Sequence, residues 1–196
     1  IMKNPESHKT VLAYFDRVSD GSQAVSDIVS SGIIPAALEM MDQTAIEGVE
    51  AASFPVGHPK DIEAVLLIEV DGIAAGIDEQ IEQILDVCRN RHVREVKVAK
   101  DEQERASWWA NRKTGFGAMG AISPDYLVQD GVIPRSQLPI VLERIGEISK
   151  KYGLRIANIF HAGDGNLHPL VLFDDSIPGQ SDLALAAGSE CLRVCA

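Results

Sequence analysis

The sequence is poor in cysteine and has no excess of positive charge. Its 196 residues include 3 cysteines, and 18 lysines and arginines stand against 29 aspartates and glutamates, so the formal net charge is −11. A surface that binds nucleic acid needs a basic face to neutralise phosphates, and an anionic membrane surface attracts basic segments in the same way. The charge therefore argues against both kinds of partner.

Long apolar runs are also absent. No stretch approaches the roughly 18–20 apolar residues of a membrane helix, and the first nine residues, IMKNPESHK, lack the apolar core of a signal peptide. An odd, sparse set of cysteines is typical of a reducing compartment, which predicts a cytoplasmic protein. Cys191 and Cys195 lie four residues apart in a helical pattern and are interpreted as buried small side chains rather than as a redox or metal pair.

Apolar residues make up 45% of the chain, which is enough for a hydrophobic core. Both ends have unusual features. Ile1 is not a natural start, and the helical pattern is still running at Ala196, with no cap after it. We therefore expect the sequence to be part of a longer protein.

The first half of the sequence predicts the order βαββαβ, with Ser22 as the N-cap of the first helix. This order is that of a ferredoxin-like unit, an antiparallel sheet with helices on one face. The predicted strands span 10–18, 36–41, 64–70 and 93–98, and the helices lie at 22–32, 42–52 and around 77–88.

The second half begins to repeat that order but lacks the last strand. Its predicted elements are a strand at 125–129, a helix at 136–152, strands at 155–161 and 167–173, and a final helix after Pro178-Gly179. The predicted fold class is therefore α+β, with two fused ferredoxin-like units that have antiparallel sheets, the second truncated. The predicted domains are a first unit (1–100), a connecting helix and glycine-rich loop (101–122) and a second unit (123–196).

The connecting segment contains GFGAMG, in which Gly115, Gly117 and Gly120 match the dinucleotide pattern G-x-G-x-x-G. That pattern binds a pyrophosphate only when a strand precedes it and a helix follows, because the phosphates meet the helix N-terminus. Here the predicted order is the reverse. We interpret the segment as a flexible linker or substrate-covering loop.

The string HAGDGNLHP (161–169) carries the clearest chemical signal. Asp-Gly between apolar runs predicts a two-residue hairpin turn. With Asp164 and Gly165 as that turn, His161 lies opposite His168 on one face of the sheet. Two neighbouring imidazoles supply half of a tetrahedral metal shell. The alternative interpretation is a tight turn with two partly exposed histidines, and Asp164 is expected to serve the turn rather than a metal.

The same string resembles the signature of the C-terminal domain of FAD-linked 2-hydroxy-acid oxidases and dehydrogenases. The resemblance is nearest to the bacterial glycolate oxidase branch, and more distant to D-lactate and D-2-hydroxyglutarate dehydrogenases. It spans nearly the whole chain, through SGIIPAALEMMD (31–42), EAVLLIEVDG (63–72), WANR (109–112), SPDYLVQDGVIPRSQLP (123–139) and KKYGLRIANIFHAGDGNLHPLVLFDD (150–175).

The resemblance implies a duplicated ferredoxin-like fold and an FAD on a preceding domain. In the hydroxyglutarate branch the equivalents of His161 and His168 bind zinc together with a later glutamate, and the histidine after that glutamate is the proposed base. Both of those residues would lie beyond Ala196. The resemblance therefore implies two metal ligands and no catalytic base within this chain.

Arg112 matches the arginine of the family's Trp-containing motif, and a guanidinium can clamp a substrate carboxylate with two hydrogen bonds. The other interpretation is a surface arginine that pairs with Glu104 or Asp101. Three positions depart from the hydroxyglutarate branch and favour a small monocarboxylate substrate. Phe116 stands where that branch has a threonine, Val128 lies near the position of its lysine, and Leu170 replaces its asparagine.

We thus expect the substrate-binding cap domain of an FAD-dependent 2-hydroxy-acid oxidase, inactive by itself, which oxidises glycolate or D-lactate to the 2-oxo acid. Its partners would be the hydroxy acid and further electron-carrying subunits, which could hold it at the membrane periphery. The alternatives are a non-catalytic ferredoxin-like binding module and a metal-dependent hydrolase. The hydrolase would need a third ligand and a base within the chain, and the sequence offers no HExxH motif.

Overall fold

The computed structural model describes residues 5–196 and shows an α+β fold built on a seven-stranded antiparallel sheet. The strands are β1 (Ser7–Phe15), β2 (Ala37–Asp42), β3 (Ala64–Gly72), β4 (Val93–Val98), β5 (Asp125–Val128), β6 (Gly131–Val132), β7 (Ile156–Phe160), β8 (Asn166–Leu167) and β9 (Pro169–Phe173). The helices are α1 (Val18–Ser30), α2 (Gln43–Ala51), α3 (Ala74–Asn90), α4 (Glu102–Lys113), α5 (Gly115–Ala118), α6 (Leu138–Tyr152) and α7 (Gln180–Cys195). The α+β class with antiparallel pairing is confirmed.

The strand order of the large sheet is β4-β1-β3-β2-β7-β9-β5, and β6 and β8 form a separate pair. Helices cover both faces of the sheet, whereas the sequence predicted helices on one face only. One core contains α1, α3, α6 and α7, and the other contains α2, α4 and α5. Helices cover both faces because β1 and β3 contain continuous apolar runs. A strand in which polar and apolar residues do not alternate must be buried on both of its faces.

The two halves of the sheet meet where β2 pairs with β7. Asp42 extends this contact beyond the last paired residues, because its Oδ2 accepts hydrogen bonds from the backbone N and the Nδ2 of Asn158, at 3.0 and 2.7 Å. Its Oδ1 accepts from Ala45 N and so caps α2. Burial raises the pKa of the Asp42 carboxyl to about 6. One carboxylate thus starts a helix and joins the two half-sheets.

The first helix begins five residues earlier than predicted, with Arg17 rather than Ser22 at the N-cap position. Ser22 lies inside α1, where its hydroxyl donates to Ser19 O, and it is not the N-cap. The helix start is satisfied from elsewhere in the fold, since Glu63 Oε2 accepts the N–H of Val18. A cap supplied by a distant residue leaves no local sequence signal.

The glycine-rich segment is helical, not the flexible loop that was predicted. α5 and the 3-10 turn Met119–Ala121 continue α4. Met119 is fully buried against α2, where a Cβ on Gly48 would overlap its Cε atom. The predicted order, helix before and strand after, is what the structure shows, so these glycines do not form a phosphate-binding turn. None of the helices within residues 5–196 has the length and apolar character needed to cross a membrane.

Candidate functional site

The segment between the two histidines forms a wider turn than predicted. A bridge pairs His161 with Asn166, so the predicted pairing of His161 with His168 is wrong by two residues. Ala162–Asp164 form a 3-10 turn, and only Gly165 closes it with a positive φ of 70°. A two-residue hairpin turn of the predicted kind requires φ > 0 at both central residues, and here the aspartate keeps a helical conformation.

The two imidazoles nevertheless lie together. Because alternate residues of a strand share one face, a slip of two residues keeps both side chains on the same side of the sheet. The ring centroids of His161 and His168 are 5.5 Å apart, and the rings are nearly perpendicular, at 88°. Gly165 is needed for this turn, since a Cβ there would overlap the carbonyl oxygen of Ile133.

Glu39, on β2, is the residue that sequence reasoning missed. Its Oε1 lies 2.9 Å from His161 Nδ1, and its Oε2 accepts a hydrogen bond of 2.6 Å from Arg112 Nη2. An ionised carboxylate can only accept hydrogen bonds. His161 Nδ1 therefore carries the hydrogen, and Nε2 is the nitrogen left with a free lone pair in the neutral ring. Glu39 is separated from its two partners by 122 and 73 residues, so no local pattern marks it.

Arg112 is buried, so the surface interpretation of this residue is wrong. It lies at the end of α4 with 8% of its surface exposed, and it pairs with Glu39 rather than with Glu104 or Asp101. Burial lowers the pKa of the guanidinium, and the charge of Glu39 opposes that shift. Its Nε is buried without a hydrogen-bond partner. The bond to Glu39 therefore leaves most of its five N–H donors without a side-chain partner among residues 5–196.

His168 is held in a partly buried niche. Its side chain is 12% exposed, and its Nδ1 lies 3.6 Å from a carboxylate oxygen of Asp130. Burial lowers the pKa of the ring, and the nearby charge of Asp130 opposes that shift. Phe116 packs edge-on against the ring with centroids 5.6 Å apart. The phenyl group therefore forms one wall beside the histidine pair.

Val128 and Leu170, the other two residues that differ from the hydroxyglutarate branch, lie opposite each other on β5 and β9. Val128 pairs with Leu170, so the two side chains share one face. Leu170 is fully buried in the core under α2 and α4, whereas Val128 is 40% exposed. Leu170 therefore serves packing, and Val128 presents an apolar surface.

The donor set around the histidines is compatible with a divalent metal. In each ring Nδ1 faces a carboxylate, Glu39 for His161 and Asp130 for His168. A histidine that binds a metal through one ring nitrogen usually donates the N–H of the other nitrogen to such a carboxylate, and this hydrogen bond orients the ring. Within residues 5–196 there is no group of three or more His, Cys, Asp or Glu side chains placed to hold a metal ion. Within the described residues the structure thus brings two imidazoles together and not a complete set of metal ligands.

His58 carried no signal in the sequence, yet it lies in a buried polar cluster. Its Nδ1 is 3.2 Å from Tyr14 Oη, and its Nε2 is 3.0 Å from Asn111 Oδ1. Burial lowers the pKa of the ring, which favours the neutral form. Asn111 directly precedes Arg112, so this cluster fixes the end of α4 from which the guanidinium extends.

Comparison with known sequences gives a match along the chain. The family described as "FAD linked oxidases, C-terminal domain" matches residues 4–196. The glycolate oxidase subunit GlcD of Escherichia coli (strain K12) is 45% identical over 195 residues, which are 100% of this chain and 39% of that protein. GlcD of Bacillus subtilis (strain 168) is 34% identical over 174 residues, covering 89% of this chain and 37% of that protein. The mitochondrial D-lactate dehydrogenase (cytochrome) of Arabidopsis thaliana is 24% identical over 178 residues, covering 90% and 31%. The chain thus spans well under half the length of these relatives.

Comparison with solved structures finds the same fold in more distant proteins. Alkyldihydroxyacetonephosphate synthase superposes with a TM-score of 0.72 at 12% identity, covering 99% of this chain and 40% of that one. p-Cresol methylhydroxylase with substrate bound gives a TM-score of 0.70 at 15% identity, with 98% and 44% covered. At these identities the likeness concerns the fold alone.

Proposed function

The chain belongs to the family of C-terminal domains of FAD-linked oxidases, and from this premise we propose that it forms the substrate-binding side of an FAD-dependent 2-hydroxy-acid oxidase or dehydrogenase. The proposed substrates are glycolate and D-lactate, the acids after which its relatives are named. The supporting observation is the cluster in which Glu39 joins Arg112 to His161, with His168 beside it.

The cluster can hold both functional groups of a 2-hydroxy acid. Arg112 would provide a positive charge for the carboxylate, and the hydroxyl group would meet the ring nitrogens of His161 and His168 that are not turned to Glu39 and Asp130. Holding the substrate in one orientation removes much of the entropic cost of reaction. FAD, carried by a part of the protein outside these residues, would accept the hydride from the α-carbon.

We propose further that His161 and His168 hold a divalent metal, with zinc as the leading candidate. Neutral imidazole nitrogens suit zinc, and a catalytic zinc site keeps one position open for substrate. Bound there, the ion would act as a Lewis acid toward the substrate oxygens. The third ligand would be a carboxylate from outside residues 1–196.

The proposed substrate is small because the walls near the histidines are apolar. Phe116 stands edge-on to His168, and Val128 presents a hydrocarbon surface two residues before Asp130, whose carboxylate lies 3.6 Å from His168 Nδ1. Neither can compensate the charge of a second carboxylate, and burying an unpaired charge is costly. We therefore expect D-2-hydroxyglutarate to be a poor substrate.

We propose that the sheet consists of two ferredoxin-like units with boundaries at 1–100 and 123–196, the second without its last strand. The order β4-β1-β3-β2 followed by β7-β9-β5 supports this division, since the units would meet edge to edge at β2 and β7. We also propose that the protein works in the cytoplasm with electron-carrying partner subunits, which could place it at the membrane periphery.

The direct test of the function is anaerobic reduction of the flavin in the full-length protein. Glycolate or D-lactate is expected to bleach the oxidised flavin band, and D-2-hydroxyglutarate at the same concentration is expected to do so far more slowly. Bound flavin that none of the three acids reduces would contradict the proposal. A full-length protein without flavin would favour the binding-module interpretation.

A further inference from the structure

We infer that Glu39 is a positioning residue that sets the tautomer of His161 and fixes the distance between His161 and Arg112. This inference rests on the proposed function and adds to it a residue that binds neither substrate nor metal. It differs from the view of Glu39 as a buried counter-charge that only stabilises the fold.

The backbone of Glu39 is held rigidly. In β2 the residue pairs with Leu67 of β3, and its neighbours Leu38 and Met40 are buried in the core on the opposite face. The carboxylate therefore projects from the middle of a seven-stranded sheet rather than from a loop. A group on such an element can orient its partners more accurately than one on a mobile segment.

The carboxylate contacts two functional side chains. Both of its oxygens lie within hydrogen-bond distance of His161 Nδ1, Oε1 at 2.9 Å and Oε2 at 3.0 Å, and Oε2 also accepts from Arg112 Nη2 at 2.6 Å. The first contact places the hydrogen of His161 on Nδ1 and leaves the lone pair on Nε2, the form that can bind a metal or accept a proton. The second fixes one edge of the guanidinium and leaves the rest of its donors to a ligand.

A second arginine–glutamate pair, between the same helix α4 and the neighbouring strand β3, shows what a structural pair looks like here. Arg105, seven residues earlier on α4, donates through Nε and Nη2 to Glu69 and through Nη1 to Glu102. All three nitrogens of Arg105 are used within the fold, whereas Arg112 makes one such bond and has a buried Nε without a partner. The contrast separates a pair that serves the fold from one that retains donors for a ligand.

The same comparison supplies a matched control. Glu69 lies on the neighbouring strand β3, is partly buried, and accepts additional hydrogen bonds from Thr10 and Trp109. Among residues 5–196, its side-chain hydrogen bonds go to Thr10, Arg105 and Trp109 and none goes to a histidine. Glu39→Gln and Glu69→Gln thus make the same chemical change at two arginine-paired sites, of which one touches His161.

The test uses the metal-free full-length protein labelled with ¹⁵N-histidine, with His161→Gln to assign the resonance. In the unaltered protein the ¹⁵N shifts are expected to show His161 protonated on Nδ1. In Glu39→Gln the amide oxygen accepts from Arg112 and the amide N–H faces the ring, so the hydrogen is expected to move to Nε2. Glu69→Gln is expected to leave the tautomer unchanged and to lower only the melting temperature.

Zinc affinity and kinetics provide the second readout. Loss of a carboxylate that orients a metal-binding histidine typically lowers metal affinity or activity by about 10- to 100-fold. We expect a loss of that size in zinc affinity and in kcat for Glu39→Gln, and values within about twofold of the unaltered protein for Glu69→Gln.

Two results would overturn the inference. One is an Nε2-protonated His161 in the unaltered protein, which needs no variant and so does not depend on whether Glu39→Gln folds. The other is an unchanged tautomer and zinc affinity in a folded Glu39→Gln protein. The tautomer measurement involves neither flavin nor substrate, so its failure can be told apart from failure of the proposed function.

Discussion

Replacing Arg112 with lysine is expected to lower kcat/KM for glycolate or D-lactate by about 10- to 100-fold in the full-length protein. Arg112 has a planar group that can bond Glu39 along one edge and a carboxylate along another. The compact ammonium of lysine cannot serve both. A hydrogen bond to a charged group contributes about 1.5–3 kcal/mol, and each 1.4 kcal/mol corresponds to a factor of ten. Steady-state kinetics with either acid measures the loss.

Arg105→Lys is the matched control for this change, since Arg105 lies on the same helix and pairs with Glu69. We expect it to lower the free energy of unfolding while kcat/KM stays within about twofold. If Arg112→Lys had unchanged kcat/KM, Arg112 would be a structural partner of Glu39 and not the substrate-binding residue.

The second large effect is expected from removing one of the histidines. His161→Ala in the full-length protein deletes a proposed metal ligand, and zinc affinity measured by calorimetry should fall by more than about 100-fold, beyond the usual effect of losing an orienting group. His8→Ala is the control, because His8 is a partly exposed histidine that pairs with Glu102 away from the cluster. We also expect His161→Ala to lose activity, and prolonged chelation of the unaltered protein should cause the same loss.

The isolated residues 1–196 should bind zinc weakly, because two imidazoles are half of a four-ligand shell and waters that complete it add little. Binding as tight as that of the full-length protein would mean that a third ligand lies within this chain. The metal-dependent hydrolase would then be the better interpretation. Zinc affinity that is the same with and without His161 would remove the metal from the proposal.

The elements of the fold could be predicted from the sequence where the signal is local. The apolar positions of α3 and α6 recur with helical spacing, and both helices are present. Gly153 ends α6 in the left-handed region, at φ 65°, as a helix-terminating glycine does. The start of α1 was misplaced because Glu63, far along the chain, replaces a local cap.

The candidate site shows the same division. Its histidines are close in sequence, so the sequence could predict that they share one face. This prediction holds although the predicted register was wrong by two residues, because every second residue of a strand points to the same face. Glu39 could not be found, since its partners lie just after β7 and on α4, far away in the sequence, and only the tertiary fold brings them to β2. The burial of Arg112 likewise depends on how α4 packs against the sheet and has no counterpart in the sequence.

The most direct test of the account is the position of a bound substrate analogue. A structure of the full-length protein with an unreactive 2-hydroxy-acid analogue should show its carboxylate bonded to the guanidinium of Arg112 and its hydroxyl group, or an ion bound to it, at the Nε2 side of His161 and His168. A carboxylate bound elsewhere, with Arg112 still making only its bond to Glu39, would contradict the central claim.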